Sequence, residues 1–155
     1  RLDPDQATLV PWVRHERIRS LQGLACTADG TALHVADYGA GLWHIPLATR
    51  QPRLLPPVAG ATLFAVDDLH RHGSDLIAVQ NGFAPHRVVR LSLDRAGDVS
   101  AVTVLEANHP ALTDAGTGCL AGDEFFFIGH AGWELFSRPD ASPAPRDVTI
   151  FRTKL

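Results

Sequence analysis

A pattern of apolar runs and polar tips recurs three times along the chain. Each copy has an apolar run, a polar hairpin tip, a second apolar run, a glycine-containing break and a third run. Asp37, Gln80 and Gly129 close the second run of successive copies, so the copies are 43 and 49 residues apart. Repeats of about 40 to 50 residues that carry several short strands are typical of propeller blades. The chain is therefore predicted to be all-β and to form β-propeller blades.

Each copy predicts four antiparallel strands, which make one blade. The second runs, 33–36, 76–79 and 125–128, are nearly continuously apolar, as expected for strands covered on both faces. Asp and Gly in the tips before them suit tight hairpins. Third strands are predicted at 42–47, 87–93 and 133–136, and fourth strands at 53–55, 99–105 and 148–152. The inner strands are predicted to begin near Leu24, Leu69 and Gly118.

The predicted organisation is one partial propeller domain. Residues 1–20 are predicted to hold the outer strand of a preceding blade, over 8–15, and a crossing loop; residues 21–60, 61–110 and 111–155 are the three blades. Closed propellers need four to eight blades, so we expect about half of a ring. Because monomers rarely expose broad apolar faces, we expect missing blades or self-association to cover the two ends. The start at Arg1 and the lack of Met predict a partial or processed chain.

The composition excludes several classes of protein. The net charge is −3 and the 14 Lys and Arg residues are scattered, which argues against a nucleic-acid or anionic-membrane partner. The chain has no uninterrupted apolar stretch of membrane-spanning length and no visible signal peptide, so a soluble protein of open compartment is expected. Phosphate-binding glycine loops and the G-x-S-x-G motif are absent, which argues against a nucleotide enzyme and a serine hydrolase.

The two cysteines are predicted to remain unbridged. Cys26 and Cys119 fall at equivalent places in inner strands two blades apart, a separation that we expect to exceed the reach of a disulfide. We expect both to be buried as small hydrophobic side chains.

The segment "LQGLACTADGTALHVADY", together with "DLIAVQNGFAPHRVVRLSLD" in the following copy, resembles a known family. It is similar to blades of the six-bladed propellers of the gluconolactonase and senescence-marker-protein group, which includes the related NHL-type and strictosidine-synthase-like rings. The resemblance covers roughly residues 21–136 and would make this chain the C-terminal half of such a ring.

The resemblance implies a metal-dependent hydrolase of lactones or esters. Lactonases of the group hold one divalent cation, usually Ca²⁺, at the central mouth of the ring through carboxylate and amide oxygens, which suit a hard cation. By motif position Gln22 and Asp67 would be metal ligands, and Asp67 would act as the catalytic base. Gln22 is one methylene longer than the group's Asn, and Asp68 stands where the group has Gly. The group's Glu ligand belongs to its first blade, so we expect this chain alone to be inactive.

Position along the repeat points to further candidates. Gln22, Asp67 and Asp114 lie in segments leading into inner strands, where propeller side chains converge on the central channel; the alternative is that they cap turns and bond to backbone. Candidates for lining a ligand-binding mouth are Asp114, His86, His130 and Trp133.

Other polar residues are interpreted as structural. The loops 37–39 and 80–82 are predicted to be turns on the face away from, or beside, the inner-strand entries. His70 and His72 are a weak zinc candidate, because they lie on a predicted hairpin. The functional alternative to a hydrolase is a non-enzymatic propeller that recognises a small molecule or a protein through the loops around Phe83, His86 and Trp133.

Overall fold

The computed structural model describes residues 9–133 and 148–155, which form three antiparallel sheets and no helix. Blade A contains β1 (Leu21–Cys26), β2 (Ala32–Asp37), β3 (Gly41–Pro46) and β4 (Arg53–Leu54). Blade B contains β5 (Val66–His72), β6 (Asp75–Gln80), β7 (Arg87–Leu93) and β8 (Val99–Ala107). Blade C contains β9 (Gly118–Ala121), β10 (Glu124–Ile128) and β11 (Ile150–Lys154). The all-β blade architecture expected from the repeat is confirmed.

Most strands lie where the apolar runs place them. β2 ends at Asp37, β6 ends at Gln80, and β7 covers the whole predicted third strand. β9 begins at Gly118 as predicted, whereas β1 and β5 begin three residues before the predicted starts. Both early starts include a register shift, between Leu21 and Leu24 in β1 and between Val66 and Asp68 in β5. Such irregularities add polar residues to a strand and hide its beginning from an apolar pattern.

Blade C departs from the predicted strand order. The predicted third strand at 133–136 is not observed: Trp133 lies in a turn, and 134–136 and the Pro/Ala-rich stretch that follows are outside the described residues. β11, predicted as the fourth strand, pairs directly with β10. This pairing places Phe151 opposite Phe127 with their rings stacked 5.7 Å apart, so burial of aromatic surface favours β11 as the neighbour of β10.

The blades pack face to face through two apolar clusters. Between blades A and B, Leu69, Leu76 and Val89 of B pack on Ala25 and Ala36 of A, among other residues. Between blades B and C, β6 and β7 of B pack on the aromatic side chains of β10. The inner strands β1 and β5 are in contact, because Gly23 has no side chain: a Cβ there would overlap the backbone nitrogen of Leu69.

The segment before β1 covers part of the outer face of blade A. Residues 10–15, predicted as part of an outer strand, are irregular in the structure, and Thr8 is outside the described residues. Trp12, Val13 and Ile18 pack against Trp43 and its buried neighbours. This segment therefore runs along the face of blade A that points away from blade B.

The cysteines are free, as expected, but they are exposed. The expectation of burial was wrong because each lies on a blade face with no neighbouring blade among the described residues. Cys26 alternates along β1 with Ala25, which faces blade B, and Cys119 alternates along β9 with Leu120, which also faces blade B. Among the described residues no helix has the length and apolarity to cross a membrane.

Candidate functional site

A cavity of about 320 Å³ lies at the end of the sheets where the three inner strands begin. It brings together four side chains selected from the sequence and two that were not. Gln22, Asp67, Asp114 and Trp133 belong to the first group, and Tyr38 and Asn81 to the second. Gln22 lies in β1, Asp67 lies in β5, and Asp114 precedes β9. The three side chains therefore converge because these inner strands pack next to one another.

Asn81 is the centre of a hydrogen-bond network that joins all three blades. Its Nδ2 donates to Oδ2 of Asp67 at 2.9 Å and to the carbonyl oxygen of Ala115, which precedes β9, at 2.7 Å. Its Oδ1 accepts from the hydroxyl of Tyr38, at the end of β2, at 3.0 Å. The amide orientation is fixed, since both Nδ2 partners are acceptors and the Oδ1 partner is a donor. Asp67 is thereby held through one oxygen.

Burial and neighbouring negative charge shift the acidities in the cavity. Burial raises the pKa of Asp67 above its ordinary value, and the charges of Asp68 and Asp114 raise it further against the opposing effect of the Asn81 hydrogen bond. Burial also raises the pKa of Tyr38, as do the charges of Asp67 and Asp114. Two carboxylates therefore face one partly dehydrated space, which favours binding of a positive charge.

Gln22 and one oxygen of Asp67 remain free to act on a ligand. Within residues 9–133 and 148–155, neither the Gln22 amide nor Oδ1 of Asp67 has a hydrogen-bond partner. Asp114 is more constrained, because its Oδ2 accepts the backbone N–H of Trp133 at 2.7 Å. Trp133 itself is 63% exposed at the cavity.

Tyr38 and Asn81 line the cavity but were not among the candidate residues. Both belong to loops that were predicted to be turns away from or beside the inner-strand entries, yet both line the cavity. In an antiparallel hairpin the end of the second strand lies beside the beginning of the first, as Leu21 opposite Asp37 shows. The repeat pattern therefore contained a signal for these residues, in the positions that directly follow β2 and β6.

Asp68, one of the two departures from the pattern of the resembled group, does not line the cavity. Its carboxylate accepts hydrogen bonds from His70, from the Thr117 hydroxyl and from the backbone N–H of Gly118, at 2.7, 3.0 and 2.7 Å. Burial alone would raise the pKa of Asp68, but these hydrogen bonds and the charge of His70 outweigh it and hold the pKa below its ordinary value. Asp68 connects β5 to β9.

The histidine candidates do not line the cavity and are engaged in other contacts. Nδ1 of His86 accepts the backbone N–H of Ala115 at 3.1 Å, and Nδ1 of His130 lies 2.9 Å from the Thr113 hydroxyl. His70 binds Asp68, and His72 lies 3.3 Å from Asp123. The part of the chain that the structure describes contains no group of three or more His, Cys, Asp and Glu side chains arranged to hold a metal ion.

Comparisons with known proteins bear on the fold. No protein-family model and no curated protein matches the chain. The structure is similar to the PQQ-bound aldose sugar dehydrogenase of Streptomyces coelicolor, with a TM-score of 0.53 and 16% identity over 70% of this chain and 37% of that one. The tricorn protease has a TM-score of 0.46 and 12% identity over 89% of this chain and 13% of its own.

The chain thus spans little more than a third of the length of the sugar dehydrogenase. At this identity the likeness concerns the fold alone. The three sheets, their antiparallel strand order and this similarity show a propeller-like all-β chain.

Proposed function

We propose that the chain is the C-terminal portion of a six-bladed propeller of the gluconolactonase and senescence-marker-protein type, acting as a lactonase-like hydrolase with a divalent cation on the ring axis. The observation that carries the proposal is the convergence of Gln22, Asp67 and Asp114 on one cavity where the inner strands begin. Active sites of this kind combine a concave site with a few convergent polar groups of shifted pKa.

The oxygens available in the cavity fit a hard cation. The Gln22 amide and the unbound oxygen of Asp67 are both of the type that Ca²⁺ prefers, and the nearby charge of Asp114 adds to the attraction. Two such side chains are fewer than Ca²⁺ needs, so further ligands from outside the described residues belong to the proposal. When bound, such a cation polarises a substrate carbonyl.

The residues of this chain then have distinct roles. Asp67, whose pKa is raised by burial, accepts a proton from the attacking water. Asn81 holds its Oδ2 and so fixes the direction of the carboxylate, with Tyr38 fixing the amide in turn. Trp133 offers an exposed aromatic surface at the cavity for the body of a substrate.

The proposal is tested by calcium titration of the full-length protein that carries this chain, together with Asp67→Asn and Gln22→Asn. Asp67→Asn should abolish calcium binding, because a hard cation in a partly dehydrated cavity depends on anionic ligands. Gln22→Asn should keep or improve it, since it restores the ligand length of the group. Asp123→Asn, which removes a carboxylate that is exposed on a hairpin tip, serves as the matched control and should bind as the parent does.

Activity is followed by proton release from a panel of γ- and δ-lactones. Asp67→Asn should lower the rate by about 10² to 10⁴-fold, the usual contribution of a general base. Unchanged calcium binding in Asp67→Asn, or no calcium binding by the parent, would instead support the non-enzymatic propeller.

A further inference from the structure

Arg87 has an unusual environment for a partly buried cation. It begins β7 at the same end of blade B where β6 ends and β5 begins, the end that also carries Asp67. Within the described residues it forms no ion pair and has Gln80 as its hydrogen-bond partner. Glu106 lies on β8 opposite Val88. Its carboxylate accepts the backbone N–H of Ala107 and does not pair with Arg87.

The guanidinium is nevertheless held in place from two sides. Gln80 is fully buried, and its Nε2 donates to the carbonyl oxygens of Thr62 and Phe64 at 3.0 and 2.8 Å. Since both Nε2 hydrogens are used, Oε1 of Gln80 faces Arg87 and accepts its Nε–H at 2.9 Å. The Arg87 guanidinium lies over the Phe83 ring, 5.0 Å from its centroid.

The loop that carries Phe83 is itself anchored. At Gly82 an added Cβ would lie 2.5 Å from Cβ of Ala65 and 2.6 Å from the Tyr38 hydroxyl, so the backbone packs tightly at this point. The N–H of Asn81 also donates to the carbonyl oxygen of Ala65 at 3.2 Å. The ring beneath the guanidinium is therefore positioned by blade A as well as by blade B.

We infer that Arg87 is the anchor of a binding site for an organic carboxylate at the end of blade B where β5 begins. The Nε–H of Arg87 donates to Gln80. The two terminal nitrogens of the guanidinium therefore remain as a planar pair of donors that matches the two oxygens of a carboxylate. The neutral amide of Gln80 positions the cation without neutralising it. The partly exposed Phe83 ring beside the guanidinium provides apolar surface for the rest of the ligand.

A carboxylate is favoured over a phosphate by charge and geometry. One fixed guanidinium matches one negative charge, and its two parallel donors lie in the plane that a carboxylate presents.

The site is tested with benzoate as the probe, titrated into the protein and followed by NMR chemical shifts. Phenylphosphonate is the phosphate-like comparison, and benzamide is the neutral one. The variants are Arg87→Gln, Arg87→Lys and Arg95→Gln, the last being a matched control on the exposed turn after the other end of β7. Thermal melts confirm that each variant is folded.

Saturable benzoate binding should weaken at least about tenfold in Arg87→Gln, as expected for the loss of hydrogen bonds to a charged group. Arg87→Lys should bind several-fold more weakly than the parent, because an ammonium lacks the two parallel donors. Arg95→Gln should bind benzoate as the parent does, and benzamide should not bind. Absence of binding by the parent, equal binding by Arg87→Gln or Arg87→Lys, or tighter binding of phenylphosphonate would overturn the proposal.

Discussion

Gly23 and Asp68 occupy the same position in successive inner strands and make opposite contacts to the next blade. Gly23 has no side chain, so β1 lies directly against the backbone of β5. Asp68 instead extends a buried carboxylate that binds Thr117 and Gly118 at the start of β9. The contact between blades A and B therefore requires that residue 23 has no side chain. The contact between blades B and C requires a carboxylate whose oxygens are hydrogen-bonded.

Replacing Asp68 with Ala should lower the free energy of unfolding by about 1–3 kcal/mol, because the Gly118 N–H and the Thr117 hydroxyl at the start of β9 lose a charged acceptor. The measurement is urea unfolding at neutral pH. Asp123→Ala is the control, since its side chain is 90% exposed beside His72, and it should change stability by less than about 0.5 kcal/mol. Equal stability of the parent and Asp68→Ala would show that the contact between β5 and β9 does not depend on this carboxylate.

At the scale of the elements, the pairing of β2 with β3 places two histidines directly opposite each other. His34 is fully buried, and its Nε2 lies 2.8 Å from the carbonyl oxygen of Gly97 in blade B and 3.5 Å from Nδ1 of His44. Burial lowers the pKa of His34, and Arg53 adds to this against Asp98 and the Gly97 bond. The pKa of His44 is also lowered, first by burial and then by the charges of His34 and Arg53. The charges of Asp98 and Asp29 act in the opposite direction. Both rings therefore favour the neutral form in the folded state.

This arrangement predicts a loss of stability in mild acid. Below about pH 6.5 the unfolded chain takes up protons on both rings while the folded protein resists them, so the free energy of unfolding falls as the pH decreases. The loss between about pH 7.5 and about pH 5.5 should shrink in His34→Gln, whose amide donates to Gly97 and does not titrate. Urea unfolding at both pH values measures it.

The control for this prediction is His72→Gln, which changes a histidine on the hairpin tip of blade B and should leave the contribution of His34 and His44 intact. An unchanged pH dependence in His34→Gln would show that the acid sensitivity arises elsewhere.

At the scale of the whole molecule, equivalent inner-strand positions differ sharply in burial. Val66 and Leu69 in blade B are 0% and 2% exposed because blade A covers them, whereas Leu21 and Leu24 at the same positions in blade A are 51% and 59% exposed. The groove beside them has a volume of about 620 Å³ and is lined by apolar side chains that include Leu33, Val35 and Ile45. The repeat therefore leaves a blade-binding face open in blade A.

We expect this face to be covered in the stable state, by further blades or by association of copies, because apolar surface in water costs about 25 cal/mol per Å². Produced as these 155 residues alone, the chain should associate or bind a hydrophobic dye, and Leu24→Lys should reduce the dye signal. Light scattering and dye fluorescence provide the measurements. A stable 16.7 kDa monomer that binds no dye would contradict this expectation.

The local pattern of the sequence by itself determined the fold class, the blade period and most strand positions. Each strand needs only a short apolar run and a turn signal, and both lie within about ten residues of each other. It also placed Gln22, Asp67 and Asp114 at the entries of inner strands, where the structure brings them to one cavity.

Contacts distant in sequence were decided only by the tertiary structure. The choice of β11 as the neighbour of β10 depends on the stacking of Phe151 on Phe127, which are 24 positions apart in the sequence. The network of Tyr38, Asn81 and Asp67 joins residues that belong to different blades. A local pattern describes which face of a strand is apolar. It does not specify which side chain of another blade contacts a given polar group, because that contact depends on how whole sheets pack.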